Sequence, residues 1–242
     1  MNHASRITHH GILYGIGVGP GDPELLTLKA VRVLSGAKVI AIPKSKGDAD
    51  SMALSVIEKA VDLKDKEILE LLLPMTKDKG ILAKARKDAA FLVCERLKQG
   101  QDIACITIGD PLFYSTFSYL IPLVADLLPD IAIKIIPGVS SINAAAGSAL
   151  LPIAEADERV AVIPATYEGD GLKEMIKNFD TVILMKVNKV MEKVLKILEE
   201  LHLKNRAVFV SRAGWEDEMV IKNLDELQGK ELDYFSLVII KK

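Results

Sequence analysis

Four glycines alternate with apolar residues and a proline near the start of the chain, in YGIGVGPGDPELLTLKA (14–30). A glycine-rich turn between a strand and a helix lets a ligand approach the backbone, as in dinucleotide and nucleoside triphosphate sites. A dinucleotide turn requires G-x-G-x-x-G, but Pro20 or Asp22 stands where the third glycine should be. The second predicted strand ends without a carboxylate for a ribose, and no Gly-Lys-Ser/Thr follows the turn. Neither kind of phosphate site is therefore expected here.

The residues of this first loop instead support a tight turn at Gly19, Pro20 and Gly21. Asp22 or Pro23 is expected to start a helix whose first turn contains Glu24, a carboxylate that would repel a phosphate. Two interpretations remain open. The loop is either a structural turn that lets other loops approach, or its exposed backbone lines a ligand cleft at the carboxyl end of a strand.

Two more loops have the same design, in ITIGDPLFYST (106–116) and IIPGVSSINAAAG (135–147). Gly109 permits close backbone approach, Asp110 supplies an acceptor, and Ser140 offers a hydroxyl beside the free amides of a helix start. Because the carboxyl-end loops of parallel strands share one edge, we expect the three loops to lie side by side and form a pocket. Asp110 taken alone is equally well interpreted as a turn former.

Short β-branched runs alternate with longer segments of helical period, which predicts an α/β fold with parallel sheets and helices on their faces. Strands are predicted at 12–18, 37–42, 67–73, 102–108, 131–136, 159–163, 181–187, 206–211 and 235–240. Helices are predicted at 25–35, 51–61, 76–98, 120–128, 140–151 and 190–202. The pattern starts afresh after a turn, which predicts an N-terminal α/β domain at 1–137 and a smaller C-terminal one at 138–242.

Composition excludes several classes of function. The 242 residues carry 31 Lys and Arg against 33 Asp and Glu, so no global positive field attracts nucleic acid. No apolar stretch approaches the roughly 20 residues that span a membrane, and the polar first ten residues do not form a secretory signal, so a cytoplasmic location is expected. Cys94 and Cys105 are expected to be buried thiols. The histidines at 3, 9, 10 and 202 do not suggest a metal site.

Together the three loops give the chain a resemblance to a known family. GIGVGPGDPELLTLKAVRVL, IGDPLFYST and PGVSSINAAAG resemble the tetrapyrrole (corrin and porphyrin) methyltransferases, over nearly the whole chain. That resemblance implies two α/β domains with S-adenosylmethionine in the cleft between them. Within the family, LLTLKA, DPLFYST, SSINAAAG and SRAG (211–214) are most similar to the enzymes that methylate carbon 20 of precorrin-2 or its cobalt form.

The resemblance also implies a set of site residues. Contacts to S-adenosylmethionine would come from Gly109, Asp110, Phe113, Ser140, Ser141, Met185, Lys186, Val187, Arg212 and Ala213. The tetrapyrrole would lie on Gly19, Pro20, Gly21, Asp22, Lys44 and Tyr114. Local cations are expected for the substrate's carboxylates, at Lys44, Lys46, Lys186 and Arg212, although for Lys46 a solvated surface position is the favoured interpretation.

No catalytic residue is assigned from the sequence. Uroporphyrinogen methylases usually have an arginine after the GDP motif, whereas counting from Asp110 places Thr116 there. Asp22, Tyr114 and Lys186 are the candidates for the group that accepts the proton released at the methylated carbon. Trp215 would either flank the cofactor or pack in the protein or at a dimer interface.

Other functions stay open at this point. One is a methyltransferase of the same fold that acts on another corrin position, or a diphthine synthase that acts on a protein. Another is a non-enzymatic nucleotide-binding module that uses the same glycine loops. A homodimer is expected from the family, and the apolar segments 140–151 and 235–240 suit either an interface or a core.

Overall fold

The computed structural model describes residues 10–45, 51–166 and 171–242. The chain divides into two compact units, Met1–Val139 and Ser140–Lys242. In the described part of the chain, no helix is long and apolar enough to cross a membrane. Lys46 and the tail histidines His3 and His9 lie outside the described residues.

The first unit is a five-stranded parallel sheet with strand order β3-β2-β4-β1-β5. Its strands are β1 Leu13–Gly17, β2 Val39–Lys44, β3 Glu67–Leu72, β4 Ile103–Thr107 and β5 Ile133–Ile136. Its helices are α1 Leu28–Gly36, α2 Met52–Ile57, α3 Lys79–Lys98 and α4 Phe117–Leu127. The predicted parallel sheet is therefore confirmed for this unit.

Both faces of the first sheet are buried, as the near-continuous apolar strands predict. Leu13 on β1 packs with α3 and α4, and Ile16, whose side chain points to the opposite face, is also fully buried. A Cβ on Gly15 would lie 2.2 Å from the ring of Phe117, so glycine at this position lets α4 pack closely on β1. The carboxyl ends of the strands are thereby held on a rigid layer.

The second unit contains a sheet with strand order β6-β7-β10-β8-β9. Its strands are β6 Val160–Pro164, β7 Thr181–Met185, β8 Ala207–Ser211, β9 Met219–Ile221 and β10 Ser236–Lys241. Its helices are α5 Ser141–Ala149, α6 Gly171–Asn178 and α7 Met191–Glu200. Short 3-10 helices occur at Pro23–Leu25 in the first unit and at Val187–Lys189, Lys204–Arg206 and Leu224–Leu227 in the second.

The prediction of a parallel sheet is wrong for the second unit. Only β6 and β7 pair in parallel, whereas β10 is antiparallel to β7 and β8, and β9 is antiparallel to β8. Two parallel strands need a long crossover connection, usually an α-helix, and no α-helix lies between β8 and β10. Sequence analysis also missed β9 and α6.

The segments considered for a dimer interface lie in the core of this unit. β10 is the central strand, and Val238 and Ile240 pack on the face that α6 and α7 cover. On the other face, Ala145 of α5 packs with Val210 and Ile239. The second unit is therefore a three-layer α/β sandwich in which β10 and the buried face of α5 are structural, whereas Leu150 after α5 is exposed.

Candidate active site

The three loops of the first unit lie side by side, as predicted. β1 pairs with β4 on one side and with β5 on the other, so the loops that follow these strands share one edge of the sheet. A Cβ on Gly17 would lie 2.4 Å from the carbonyl oxygen of Gly109, and one on Gly138 would lie 2.2 Å from the same oxygen. We call the contact of Gly17, Gly109 and Gly138 the three-glycine junction. A larger residue at Gly17 or Gly138 would force the loops apart.

Backbone hydrogen bonds join the first loop to the second. The N–H of Gly109 donates to the carbonyl of Gly19 at 2.7 Å, and that of Val18 donates to Thr107 at 3.0 Å. Gly19 and Gly109 have φ angles of +80° and +72°, which residues with a Cβ rarely adopt. These contacts support the structural interpretation of the first loop, and its contact with a ligand stays a prediction.

Asp110 joins the second loop to the third. Its Oδ1 accepts the N–H of Leu112 at 2.9 Å, and its Oδ2 accepts the N–H of Gly138 at 3.2 Å. The carboxylate therefore forms a local turn and also holds the end of the first unit. Its contact with a cofactor stays a prediction.

Asp22 caps a shorter helix than the sequence predicts. Its Oδ1 accepts the N–H of Glu24 at 2.8 Å and starts the 3-10 helix Pro23–Leu25. Thr27 then caps α1 by accepting the N–H of Ala30 at 3.1 Å. The predicted helix 25–35 is therefore interrupted, because a second capping residue restarts it.

An aromatic pair projects from the second loop. The rings of Phe113 and Tyr114 meet edge to face with centroids 4.8 Å apart, and the residues are 40% and 48% exposed. Tyr114 has a φ of +51°, an uncommon conformation for a bulky residue. Exposed aromatic surface beside the three-glycine junction suits a flat, apolar ligand.

Lys44 ends β2 at the same edge of the first sheet. Its Nζ donates to Oε1 of Glu70 on β3 at 2.9 Å, and its side chain is only 11% exposed. The charge of this predicted substrate cation is therefore already balanced within the unit.

In the second unit, two predicted cofactor segments share one edge of the sheet. β7 and β8 both run antiparallel to β10, with Met185 and Val210 opposite the same residue, Leu237. Lys186 and Arg212, which follow the two strands, have φ angles of +58° and +51°. Non-glycine residues in this region store strain, and such residues cluster at functional sites.

The side chains of these segments differ in what they can offer a ligand. Met185 is partly exposed, whereas Val187 and Ala213 are buried and can offer mainly their backbone. Ser140 caps α5, and its hydroxyl accepts the N–H of Asn143 at 3.4 Å and donates to the side-chain oxygen of the same residue at 2.7 Å. Ser141 is the first residue of α5, where backbone N–H groups lack helical partners.

Arg212 is surrounded by carboxylates of its own unit. Its Nε donates to Asp217 at 2.6 Å, its Nη1 lies 3.5 Å from Asp233, and its guanidinium stacks on the ring of Trp215 at 4.9 Å. The hydrogen bond between Arg212 and Asp217 raises the pKa of the guanidinium and lowers the pKa of the carboxyl. The predicted contact of this cation with substrate therefore competes with two carboxylates.

Sequence analysis did not single out Asp217 or Glu218, which brace the turn after β8. Glu218 accepts the N–H of Gly214 at 2.7 Å. The signal was the acidic run at 216–218, which begins one residue after the SRAG motif. Over residues 10–45, 51–166 and 171–242, no three His, Cys, Asp or Glu side chains are arranged to hold a metal ion. Burial raises the pKa of Cys105 to about 12.

The loop arrangement defines an α/β protein with its candidate site at the carboxyl ends of its strands. A family model for Tetrapyrrole (Corrin/Porphyrin) Methylases matches residues 12–228, and the chain belongs to this family. A probable cobalt-precorrin-2 C(20)-methyltransferase of Methanocaldococcus jannaschii is 42% identical over 95% of this chain and 96% of its own. A precorrin-2 C(20)-methyltransferase of a Sinorhizobium species is 32% identical, with 95% of each chain covered. One from Salmonella typhimurium, named for the cobalt form, is 27% identical over 96% of this chain and 97% of its own.

Solved structures show the same fold. A cobalt precorrin-4 methyltransferase aligns with a TM-score of 0.73 at 24% identity, covering 95% of this chain and 94% of its own. A uroporphyrin-III C-methyltransferase of Thermus thermophilus, solved with S-adenosylhomocysteine, aligns with a TM-score of 0.67 at 23% identity, covering 96% and 92%.

Proposed function

We propose that this protein methylates carbon 20 of precorrin-2 or of its cobalt form, with S-adenosylmethionine as methyl donor, during corrin-ring synthesis for cobalamin. The observation that carries the proposal is the end-to-end match to three relatives named for this reaction. The three-glycine junction and the exposed aromatic pair beside it support the same conclusion.

The residues present fit a nucleoside-like donor that carries an amino acid. In the second unit, the Ser141 hydroxyl and the backbone N–H groups at the start of α5, behind the cap Ser140, offer donors for a carboxylate, and Met185 offers apolar surface. In the first unit, Phe113 offers a partly exposed ring of the kind that suits an adenine. Further contacts would come from the backbone of Gly109 and Asp110, from Lys186 and Val187, and from Arg212 and Ala213. S-adenosylmethionine supplies an electrophilic methyl group on a sulfonium sulfur.

The task of the protein is to hold the reacting atoms in line. Effective displacement requires reacting atoms about 3 to 3.5 Å apart with aligned orbitals, so small loop displacements matter. The junction and the Asp110 hydrogen bonds restrain the loops of the first unit relative to one another, which supports such positioning. Methyl transfer to the ring carbon would leave S-adenosylhomocysteine, and the methylated carbon would then give up its proton to a base.

The first loop and Tyr114 would contact the tetrapyrrole. Gly19, Pro20 and Gly21 lie at the edge of the sheet but are buried, so they would shape the site from below, whereas Tyr114 presents a half-exposed ring. Lys44 would bind a substrate carboxylate in competition with Glu70. Cobalt, where present, belongs to the substrate.

For the proton acceptor, Asp22 is the carboxylate candidate. A matched control exists in Asp62, which likewise accepts the N–H two residues ahead, at 3.0 Å against 2.8 Å for Asp22. Asp22→Asn should lower turnover by about 10²-fold, in the range of general base catalysis, without weakening S-adenosylhomocysteine binding. Asp62→Asn should leave both unchanged. Equal turnover in the two variants would exclude Asp22 as the proton acceptor and leave Tyr114 and Lys186 as the candidates.

The reaction is tested with purified protein and S-adenosylmethionine carrying a ¹³C methyl group. Precorrin-2, its cobalt form and a protein acceptor for diphthine synthesis are offered separately, and carbon NMR locates the new methyl group. Label at carbon 20 supports the proposal. Label at another ring position, label on the protein, or binding of ATP or NAD in place of the methyl donor favours one of the alternative functions.

We further propose a homodimer in the cytoplasm. Large apolar side chains are half-exposed on the neighbouring helices α3 and α4, at Phe91, Tyr119 and Leu127, which suits an interface. Free buried thiols at Cys94 and Cys105 suit a reducing compartment. Light scattering of the wild type and of Phe91→Glu tests the assembly, because a charge in an apolar interface should shift the protein toward monomer.

A further inference from the structure

The turn after β8 needs support to hold its shape. Arg212 and Gly214 have φ angles of +51° and +80°, and only the second is a residue that adopts this region readily. The N–H of Arg212 donates to Phe235 at 2.8 Å, and that of Trp215 donates back to Arg212 at 2.9 Å. These bonds secure the two ends of the turn and leave the N–H of Gly214 to a side chain.

Glu218 accepts that N–H and a second hydrogen bond from a distant helix. Its Oε2 lies 2.7 Å from the Gly214 nitrogen and 2.9 Å from the hydroxyl oxygen of Ser148 on α5. The backbone N–H of Glu218 donates to Trp215 at 3.1 Å, which fixes the position of the glutamate itself. One carboxylate oxygen therefore joins the turn to α5, across 70 residues of sequence.

Both joined segments carry residues that the proposed function assigns to the methyl donor. The turn contains Arg212 and Ala213, and α5 begins at Ser141 behind its cap Ser140. A helix of nine residues transmits its orientation from Ser148 to its first turn as a rigid body. We propose that Glu218 is a positioning residue, which orders the turn and α5 relative to each other before the donor binds. This inference rests on the proposed function.

A carboxylate side chain suits this position because both of the groups that it contacts are hydrogen-bond donors. A carboxylate accepts from both an amide and a hydroxyl, and hydrogen bonds to a charged acceptor are about twice as strong as neutral ones. Glutamine keeps a carbonyl oxygen that accepts both bonds without the charge, whereas alanine removes both bonds. The series Glu218→Gln, Glu218→Ala and Ser148→Ala therefore separates geometry from charge.

The test measures the dissociation constant of S-adenosylhomocysteine by calorimetry, together with thermal unfolding. Glu218→Ala should weaken binding by about 10-fold, Ser148→Ala by about 3-fold, and Glu218→Gln by less than about 3-fold. Since the two bonds share one oxygen, the double variant of Ser148→Ala and Glu218→Ala should bind no more weakly than Glu218→Ala. The control is Glu226→Ala, an exposed glutamate of the 3-10 helix Leu224–Leu227, which should bind like the wild type.

The outcomes are distinguishable. A lower melting temperature with an unchanged dissociation constant in Glu218→Ala would mean a merely structural role and would overturn the inference, while the proposed function stood. Failure of the wild type to bind S-adenosylhomocysteine would overturn both. If Glu218→Ala does not fold, Ser148→Ala decides, because wild-type binding in that variant contradicts the link between the turn and α5.

Discussion

Gly138→Ala tests whether the three-glycine junction positions the loops. A Cβ at this residue would lie 2.2 Å from the carbonyl oxygen of Gly109 and 2.7 Å from the carbonyl carbon of Gly17. Contacts under 3.0 Å are essentially never seen for a real Cβ. All the opposing atoms belong to backbone, so the third loop must move away from the other two by about 1 Å, on the scale at which overpacking distorts a well-packed site.

Two magnitudes follow from this displacement. Overpacking of this kind costs about 1 to 3 kcal/mol of the free energy of unfolding, which a folded domain tolerates. A displacement of about 1 Å in a catalytic arrangement costs about 10²-fold in rate. We therefore expect Gly138→Ala to fold, to lose modest stability, and to lose most of its methyl transfer activity.

The assay pairs urea unfolding with transfer of a labelled methyl group. Gly36 provides the control, because it ends α1 at the opposite edge of the sheet and a Cβ there meets no atom within 4 Å. Gly36→Ala should keep full activity and be neutral or stabilising by up to about 1 kcal/mol. Wild-type activity in Gly138→Ala would refute the argument that contact between the loops sets their position.

Three more predictions address strain, thiols and charge. Lys186→Gly should relieve a left-handed backbone conformation and raise the free energy of unfolding by about 1 kcal/mol, yet lower turnover. The control is His202→Gly, at a left-handed residue at the exposed end of α7, which should gain stability without losing turnover. Equal turnover in the two variants would contradict a role for Lys186. Because burial raises the pKa of Cys105 to about 12, the native protein should resist thiol reagents at pH 8 and show two thiols only after denaturation; rapid native labelling would contradict the burial. The hydrogen bond from Lys241 lowers the pKa of Glu158 below its ordinary 4.5, so this pair stabilises the fold above that pH and less as the pH falls through the lowered pKa. Lys241→Met should therefore lower Tm at pH 7 and have a smaller effect at pH 3, and a constant difference would count against the pair.

The helices and strands that the sequence predicted best are those with a strong local pattern. β4 lies in the uninterrupted apolar run DIACITI, and α3 carries a long helical stripe that ends before Gly100. α6 was missed because its eight residues present only a short apolar face, and β9 because three residues carry no usable period. No local sequence pattern predicts that β10 runs antiparallel to β7 and β8, because the direction of a strand in a sheet depends on the strands beside it.

The sequence alone determined the candidate site in outline. It carries glycine loops directly after three apolar strands, aromatic residues at Phe113 and Tyr114, and a motif pattern that identifies the family. These features can be predicted from the sequence because turn chemistry, periodicity and motif spacing are properties of residues that are close together in the chain.

Only the tertiary structure decided which groups meet. The strand order β4-β1-β5 brings Gly17, Gly109 and Gly138 into contact, although more than 100 residues separate the first from the last. In the second unit, the tertiary structure also pairs Arg212 with Asp233 and places Glu218 between the turn after β8 and the distant helix α5. Such contacts depend on long-range packing and register, and the energy that selects them is shared over the whole core.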